Sequence, residues 1–289
     1  MTESYLVPDI SLHQDERLFL YLDGSRFENV LKTIYEFEDC PDITIIYTAT
    51  QWESLSSVSP CLIEIDLTSP LYRFILDNPF QRYGYFIAAK DRLMLEAHLR
   101  RLIVVSPPYG ETVMLKFADP EVAARLLVDS SSECWGPIEQ VWLPCVRSKT
   151  WQQKGSCQVN GFQQSQGTIR LTEAQYSLLG EVSHLNFIFE LKRYMEKWFL
   201  ARLPKQQVLD WLYHWSDRAY QLGFTSQQAQ KCFLAVVGYL GEDVFQQPQF
   251  AQIQQYLTQA STLTPDLRAE KAAELAHGYW LKQNQKEVS

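Results

Sequence analysis

No run of about 18 apolar residues occurs in this sequence, so no membrane-spanning helix is read from it. The N-terminus, MTESYLVPDISLHQDERLFLYLDG, lacks a basic segment followed by an apolar one, and the expected location is the cytoplasm. Catalytic signatures are missing too: there is no G-x-S-x-G, no G-x-x-x-x-G-K-[ST], no G-x-G-x-x-G after a strand and no H-E-x-x-H. Each absence removes a common class of enzyme. The cysteines Cys40, Cys61, Cys134, Cys145, Cys157 and Cys232 form no C-x-x-C pair, which excludes a disulfide framework or zinc ribbon and leaves buried or inert thiols. His98, His184, His214 and His277 fall in helical stretches with no second histidine at i+3 or i+4, so no metal or other cofactor is expected. Positive charge is scarce. With 26 Lys and Arg against 34 Asp and Glu, a protein living on nucleic-acid phosphates is disfavoured.

What is present is an ordinary globular composition, 46% hydrophobic and 21% charged, in 289 residues, enough for one large domain or two ordinary ones. The two halves differ. Residues 1 to 150 hold 13 Lys and Arg against 22 Asp and Glu, whereas the remainder holds 13 against 12. Glutamine moves the other way, 4 against 22. The polar, glycine-bearing stretch RSKTWQQKGSCQVNGFQQSQG lies between them, so the reading is an α/β domain over 1 to 150, a linker or edge hairpin over 151 to 170, and a helical lobe over 171 to 289.

In the first half, β-like segments (18 to 22, 43 to 49, 61 to 67, 84 to 89, 112 to 118, 138 to 144) alternate with helical ones, which argues for a layered α/β fold with a mixed sheet. Asp91 and the Asp119-Pro120 step are helix starts, and Glu96 with Arg100 reads as a solvated i, i+4 pair. After Thr172 and Gln175, a capping-box pattern, Phe187, Ile188, Leu191, Tyr194, Met195, Trp198 and Phe199 fall on one helical face. Four more helical segments near 205 to 222, 226 to 240, 249 to 260 and 265 to 283 complete an all-α bundle.

Candidate functional residues are few. Asp23 and Gly24 follow a strand, where a turn or cap outweighs catalysis. The carboxylates Glu36, Glu38, Asp39 and Asp42 lack metal-site spacing but suit docking of a basic partner. Trp211, Tyr213, Trp215 and Tyr220 cannot all face one core, because positions 211 and 213 project about 200° apart on a helix. At least one of them is left for the surface or for a contact.

Several blocks occur in order: LYLDGSRFENVLKTIYEFEDC, a Y-x-A-T-x-W-E-x-L loop before VSPCLIEIDLTSPL, LEAHLRRLIVV, VMLKFADPEVAARLL and CWGPIEQVWLP. Over residues 17 to 144 they resemble the domain found in the adaptors, or effector chaperones, of bacterial type VI secretion systems. The resemblance implies a non-enzymatic cytoplasmic protein that holds a secreted toxin effector and helps mount it on the VgrG spike. It supplies no catalytic residues. By the same logic the shared half, with its acidic residues and the Trp135-Gly136-Pro137 turn, would meet a shared partner, while Trp211, Tyr213 and Trp215 of the helical lobe would anchor the individual effector. The competing reading is an α/β hydrolase or toxin with an unrecognised site.

Overall fold

The structure is a computed structural model that describes residues 7–130, 132–145, 150–156 and 167–287. Part of the expected connector, residues 146–149 and 157–166 with Cys157, lies outside the described residues. The chain forms two compact units, Met1–Val182 and Ser183–Ser289.

In the first unit the strands are β1 (Arg17–Leu22), β2 (Ile43–Ile45), β3 (Cys61–Glu64), β4 (Gly84–Ala89), β5 (Val104–Ser106), β6 (Val113–Met114), β7 (Gln140–Cys145), β8 (Thr150–Gly155) and β9 (Ile169–Arg170). Between them lie helices α1 (Val30–Phe37), α2 (Pro70–Asp77), α3 (Arg92–Arg101) and α4 (Pro120–Leu126). Six strands make one sheet in the order β2-β3-β1-β4-β7-β8, antiparallel at every pairing. The parallel pairing comes from a smaller sheet, β6-β5-β9, where β5 and β9 run side by side.

Leu18, Leu20 and Leu22 of β1 enter one core with Val30, Ile34, Leu71 and Ile75, while Phe19 and Tyr21 enter another with Leu95, Leu99, Val122 and Leu126. Helices therefore cover both faces of the sheet, α1 and α2 on one side, α3 and α4 on the other. A strand buried on both faces needs apolar side chains at every position, hence the unbroken runs LFLYL and GYFIAA.

The sheet edge at β2 is tied to side chains of α3. Arg92 Nη2 donates to the Asp42 carbonyl at 3.3 Å, Arg100 Nε donates to the Ile46 carbonyl at 3.3 Å, and Thr44 Oγ1 donates to Glu96 between them. Arg92, Glu96 and Arg100 follow at four-residue spacing, so one helix face runs along the edge. Glu96 and Arg100 are 3.9 Å apart, yet the Glu96 side chain is 13% exposed and also holds Arg92 at 2.9 Å. The pair is thus a tie to the strand rather than the solvated pair expected.

The second unit is all α. Helix α5 (Glu173–Phe199) enters it from the first, and α6 (Val208–Gln221), α7 (Gln227–Leu240), α8 (Ala251–Thr258) and α9 (Pro265–Glu287) follow. At the start of α5 the capping box is formed: Gln175 N–H donates to Thr172 Oγ1 at 3.2 Å, and Thr172 N–H donates to Gln175 Oε1 at 2.9 Å. Phe187, Ile188, Leu191, Met195 and Phe199 are buried with Leu212, Phe233, Val236, Ile253 and Ala272. Trp198 departs from the expected face: it is 62% exposed, because the helix ends one residue later and the chain turns into a 3-10 segment at Leu200–Arg202. On α7, a Cβ added at Gly238 would lie 2.5 Å from the Phe199 ring. Gly238→Ala is therefore expected to destabilise the bundle by about 1–3 kcal/mol through overpacking, read as a lower urea midpoint at unchanged slope.

Candidate functional site

At the carboxyl end of β1 the backbone turns, and Asp23 caps the short 3-10 segment Gly24–Arg26 by accepting from Ser25 N–H at 3.0 Å. This brings Asp23 to a charged network that sequence reading did not assemble. Asp119 caps α4 by accepting from Glu121 N–H at 3.0 Å, and its Oδ2 lies 2.5 Å from Arg82 Nη2 and 3.0 Å from Arg26 Nη2. Arg26 Nε in turn lies 3.5 Å from Asp23 Oδ2. Asp119, Arg82 and Asp23 are all buried, and Arg26 forms the rim at 31% side-chain exposure. Burial alone would raise the Asp119 carboxyl, but the Arg82 and Arg26 guanidinium groups outweigh it and hold it below the ordinary carboxylate value. Arg82 adopts a left-handed backbone, φ 54°, an uncommon state for a side-chain-bearing residue that the ion pair helps to fix. Asp119 meets its arginines 37 and 93 positions away in sequence, so no local spacing announces the network.

The nearest approach to a catalytic arrangement is Ser25, whose hydroxyl donates to Asp23 Oδ1 at 2.7 Å and accepts from Lys116 Nζ at 3.2 Å. The hydroxyl thus bridges the Asp23 carboxylate and the exposed Lys116 amine. Cys and His do meet, in that His98 Nε2–H donates to the Cys134 carbonyl oxygen at 3.0 Å; the bond is to backbone, and burial pushes the Cys134 thiol up. Burial likewise pushes the Cys61 thiol up to about 12, away from reactivity. Among the described residues no three His, Cys, Asp or Glu side chains gather as a metal site, and no helix is long and apolar enough to cross a membrane. A cleft of about 400 Å³ is lined by His13, Glu16, Glu139, Gln140, Gln153 and Lys154. Several of its polar groups are already engaged: Gln153 Nε2 donates to Gln140 Oε1 at 2.8 Å, Gln140 Nε2 to Glu16 Oε2 at 3.3 Å, and Lys154 Nζ to the Ala124 carbonyl.

The carboxylates singled out in sequence do not converge on one free patch. Glu36 lies 4.0 Å from Lys32, Glu38 accepts from Ser69 Oγ and from Leu71 N–H at the start of α2, and Asp42 is held by Arg92. Asp39 is exposed. Trp135 is a core residue, 1% exposed, and its Nε1–H donates to the Asp129 carbonyl at 2.9 Å. Beside it Gly136 has φ 51° and touches the buried His98 ring, where an added Cβ would approach to 2.4 Å.

In the helical unit Trp215 is also interior, 3% exposed and stacked on Phe245 with ring centroids 5.6 Å apart. Trp211 is half-buried, edge-on to Trp215 at 6.1 Å, with its Nε1–H donating to Glu242 Oε1 at 2.5 Å. Tyr213 is half-buried and stacks on His184 at 5.5 Å. The 200° separation thus sends Trp211 and Tyr213 to opposite flanks of Leu212, and Tyr220 outward at 61% exposure.

The family model for the domain of unknown function DUF4123 matches residues 18–136, which run from β1 through the Asp119 network to Gly136. No solved structure matches the chain. The accessory protein VasW of Vibrio cholerae serotype O1 is 32% identical over 274 residues, an alignment that takes in 94% of this chain and 92% of VasW. Identity at that level across both the α/β and the helical unit means that the chain belongs, with VasW, to the DUF4123 family of type VI secretion adaptors, and its role is a type VI secretion one.

Proposed function

We propose that the protein is a cytoplasmic adaptor that binds a type VI toxin effector and helps load it onto the VgrG spike, with no turnover of its own. The observation that carries the reading is the match to an accessory protein along 94% of the chain, through both units together. Support also comes from the chemistry: the buried charges of the α/β unit are spent on ion pairs and caps, which suits a rigid docking body better than a reaction centre. On this reading the α/β unit, with Glu36, Asp39 and Asp42 on its surface, meets the spike or a segment common to effectors. The helical unit selects the individual effector. Trp135 and Trp215 support those surfaces from inside, and Trp211 and Tyr213, half-buried, are the anchors.

The test is co-expression of the full chain with VgrG and with the effector encoded beside it, followed by affinity capture through the chain. Retention of both by the wild type is expected, and loss of either with a folded chain removes that half of the proposal. Trp211→Ala should weaken effector retention by about 2 kcal/mol, roughly thirtyfold, while leaving VgrG retention intact. Equal loss of both partners would place the ring in general stability instead.

A further inference from the structure

We propose a second docking surface, at the C-terminal end of α5 and the turn after it, that takes an acidic, apolar segment of a partner protein. It deepens the adaptor reading and rests on it only for which protein supplies the segment. Trp198 and Leu200 stand there 62% and 68% exposed, the two most exposed large apolar side chains of the helical unit. Arg193, Lys197, Arg202 and Lys205 surround them in sequence and are exposed. None of the four has an ion pair among the described residues, whereas the acids of the same helix are engaged, Glu196 by Lys192 and Glu190 by Lys231 at 3.3 Å. The stretch from 192 to 205 holds five cations and one carboxylate in a chain of net charge -8, so the local field is opposite in sign to that of the whole.

The ring is also held in place. Lys197 Nζ lies over the Trp198 indole, 4.9 Å from its centroid, and Arg202 Nη2 donates to the Tyr239 carbonyl in the last turn of α7 at 3.4 Å. An exposed, oriented Trp amid unpaired cations is matched by carboxylates flanking an apolar side chain. A lipid surface is the poorer fit, because interfacial helices need a broad apolar face and that of α5 is consumed by Phe187, Ile188, Leu191, Met195 and Phe199 in the core. Four cations are likewise few for a nucleic acid.

The test uses the full-length chain and a fluorescein-labelled synthetic peptide with Leu and Phe at helical spacing and Glu or Asp elsewhere, compared by anisotropy with its Lys/Arg counterpart. The acidic peptide should bind more tightly, lose affinity as salt rises, and weaken about tenfold or more on Trp198→Ala or on Lys197→Glu with Arg202→Glu. Equal binding of the two peptides, or indifference to both variants, overturns the proposal. So does Trp198-dependent flotation with phosphatidylglycerol vesicles in the absence of peptide binding. A chain that binds the peptide but retains neither effector nor VgrG would sink the adaptor reading and leave this surface standing.

Discussion

Asp119→Ala is expected to remove about 3–5 kcal/mol of stability from the α/β unit, the cost typical of taking one partner out of a buried ion pair. The substitution deletes the carboxylate that Arg82, 3% exposed, meets at 2.5 Å and that Arg26 meets at 3.0 Å. It also deletes the acceptor for Glu121 N–H, worth about 1 kcal/mol as a helix cap. Asp119→Asn separates the two contributions, since the amide oxygen can still cap α4 but carries no charge. Urea unfolding of wild type and both variants gives the comparison, with Asn expected between the others. Should Ala cost no more than the cap, the network is held by its surroundings and not by this carboxylate. The pH sign follows from the direction of the shift. A carboxyl held below its ordinary value of 3.8 contributes stability above that pH, and the contribution is lost as pH falls through the lower folded value.

His98 sets a different window. Burial drives its pKa down from 6.5 to about 4; the Cys134 carbonyl works against that shift and Arg101 adds to it. The unfolded chain takes up a proton near pH 6.5 and the folded one does not until about pH 4. Stability is therefore full at neutral pH and falls between those values, by about 3 kcal/mol once both have been passed. The measurement is the urea midpoint from pH 7.5 down to 4.5, for wild type and for His98→Gln. Gln can keep the hydrogen bond to the Cys134 carbonyl but cannot be protonated, so its curve should be flat where the wild type slopes. Identical slopes would assign the pH dependence elsewhere. Most of this window lies above that of Asp119, and the two meet near pH 4, so the comparison is made above pH 4.5.

Neither residue was recognisable for this role from sequence, although both elements were. Asp119 before Pro120 reads as a helix start and is one, because a cap is a relation between neighbours. Its ion pairs are with residues 37 and 93 positions away, brought together by the β1–β4 pairing and by the packing of α4 on that face of the sheet. The same contrast holds elsewhere. Strand β4, wholly buried, coincides with its apolar run at 84 to 89, whereas the expected strand over 43 to 49 stops at Ile45 and turns. Periodicity placed α5 and most of its core side chains. It erred at Trp198, since a periodic face has meaning only while the helix continues. The family resemblance was carried by ordered blocks over residues 17 to 144, from β1 into β7.

The arginines of α3 have a consequence for how the molecule meets other chains. A strand whose outward carbonyls are unclaimed will accept any passing extended polypeptide, including a sister copy, and sheets can then grow from molecule to molecule into ribbons. With the Asp42 and Ile46 carbonyls on either side of β2 already occupied, the free stretch of that edge is short. A protein whose proposed companions are other chains gains selectivity by this, because indiscriminate backbone pairing at that edge has little length to work with.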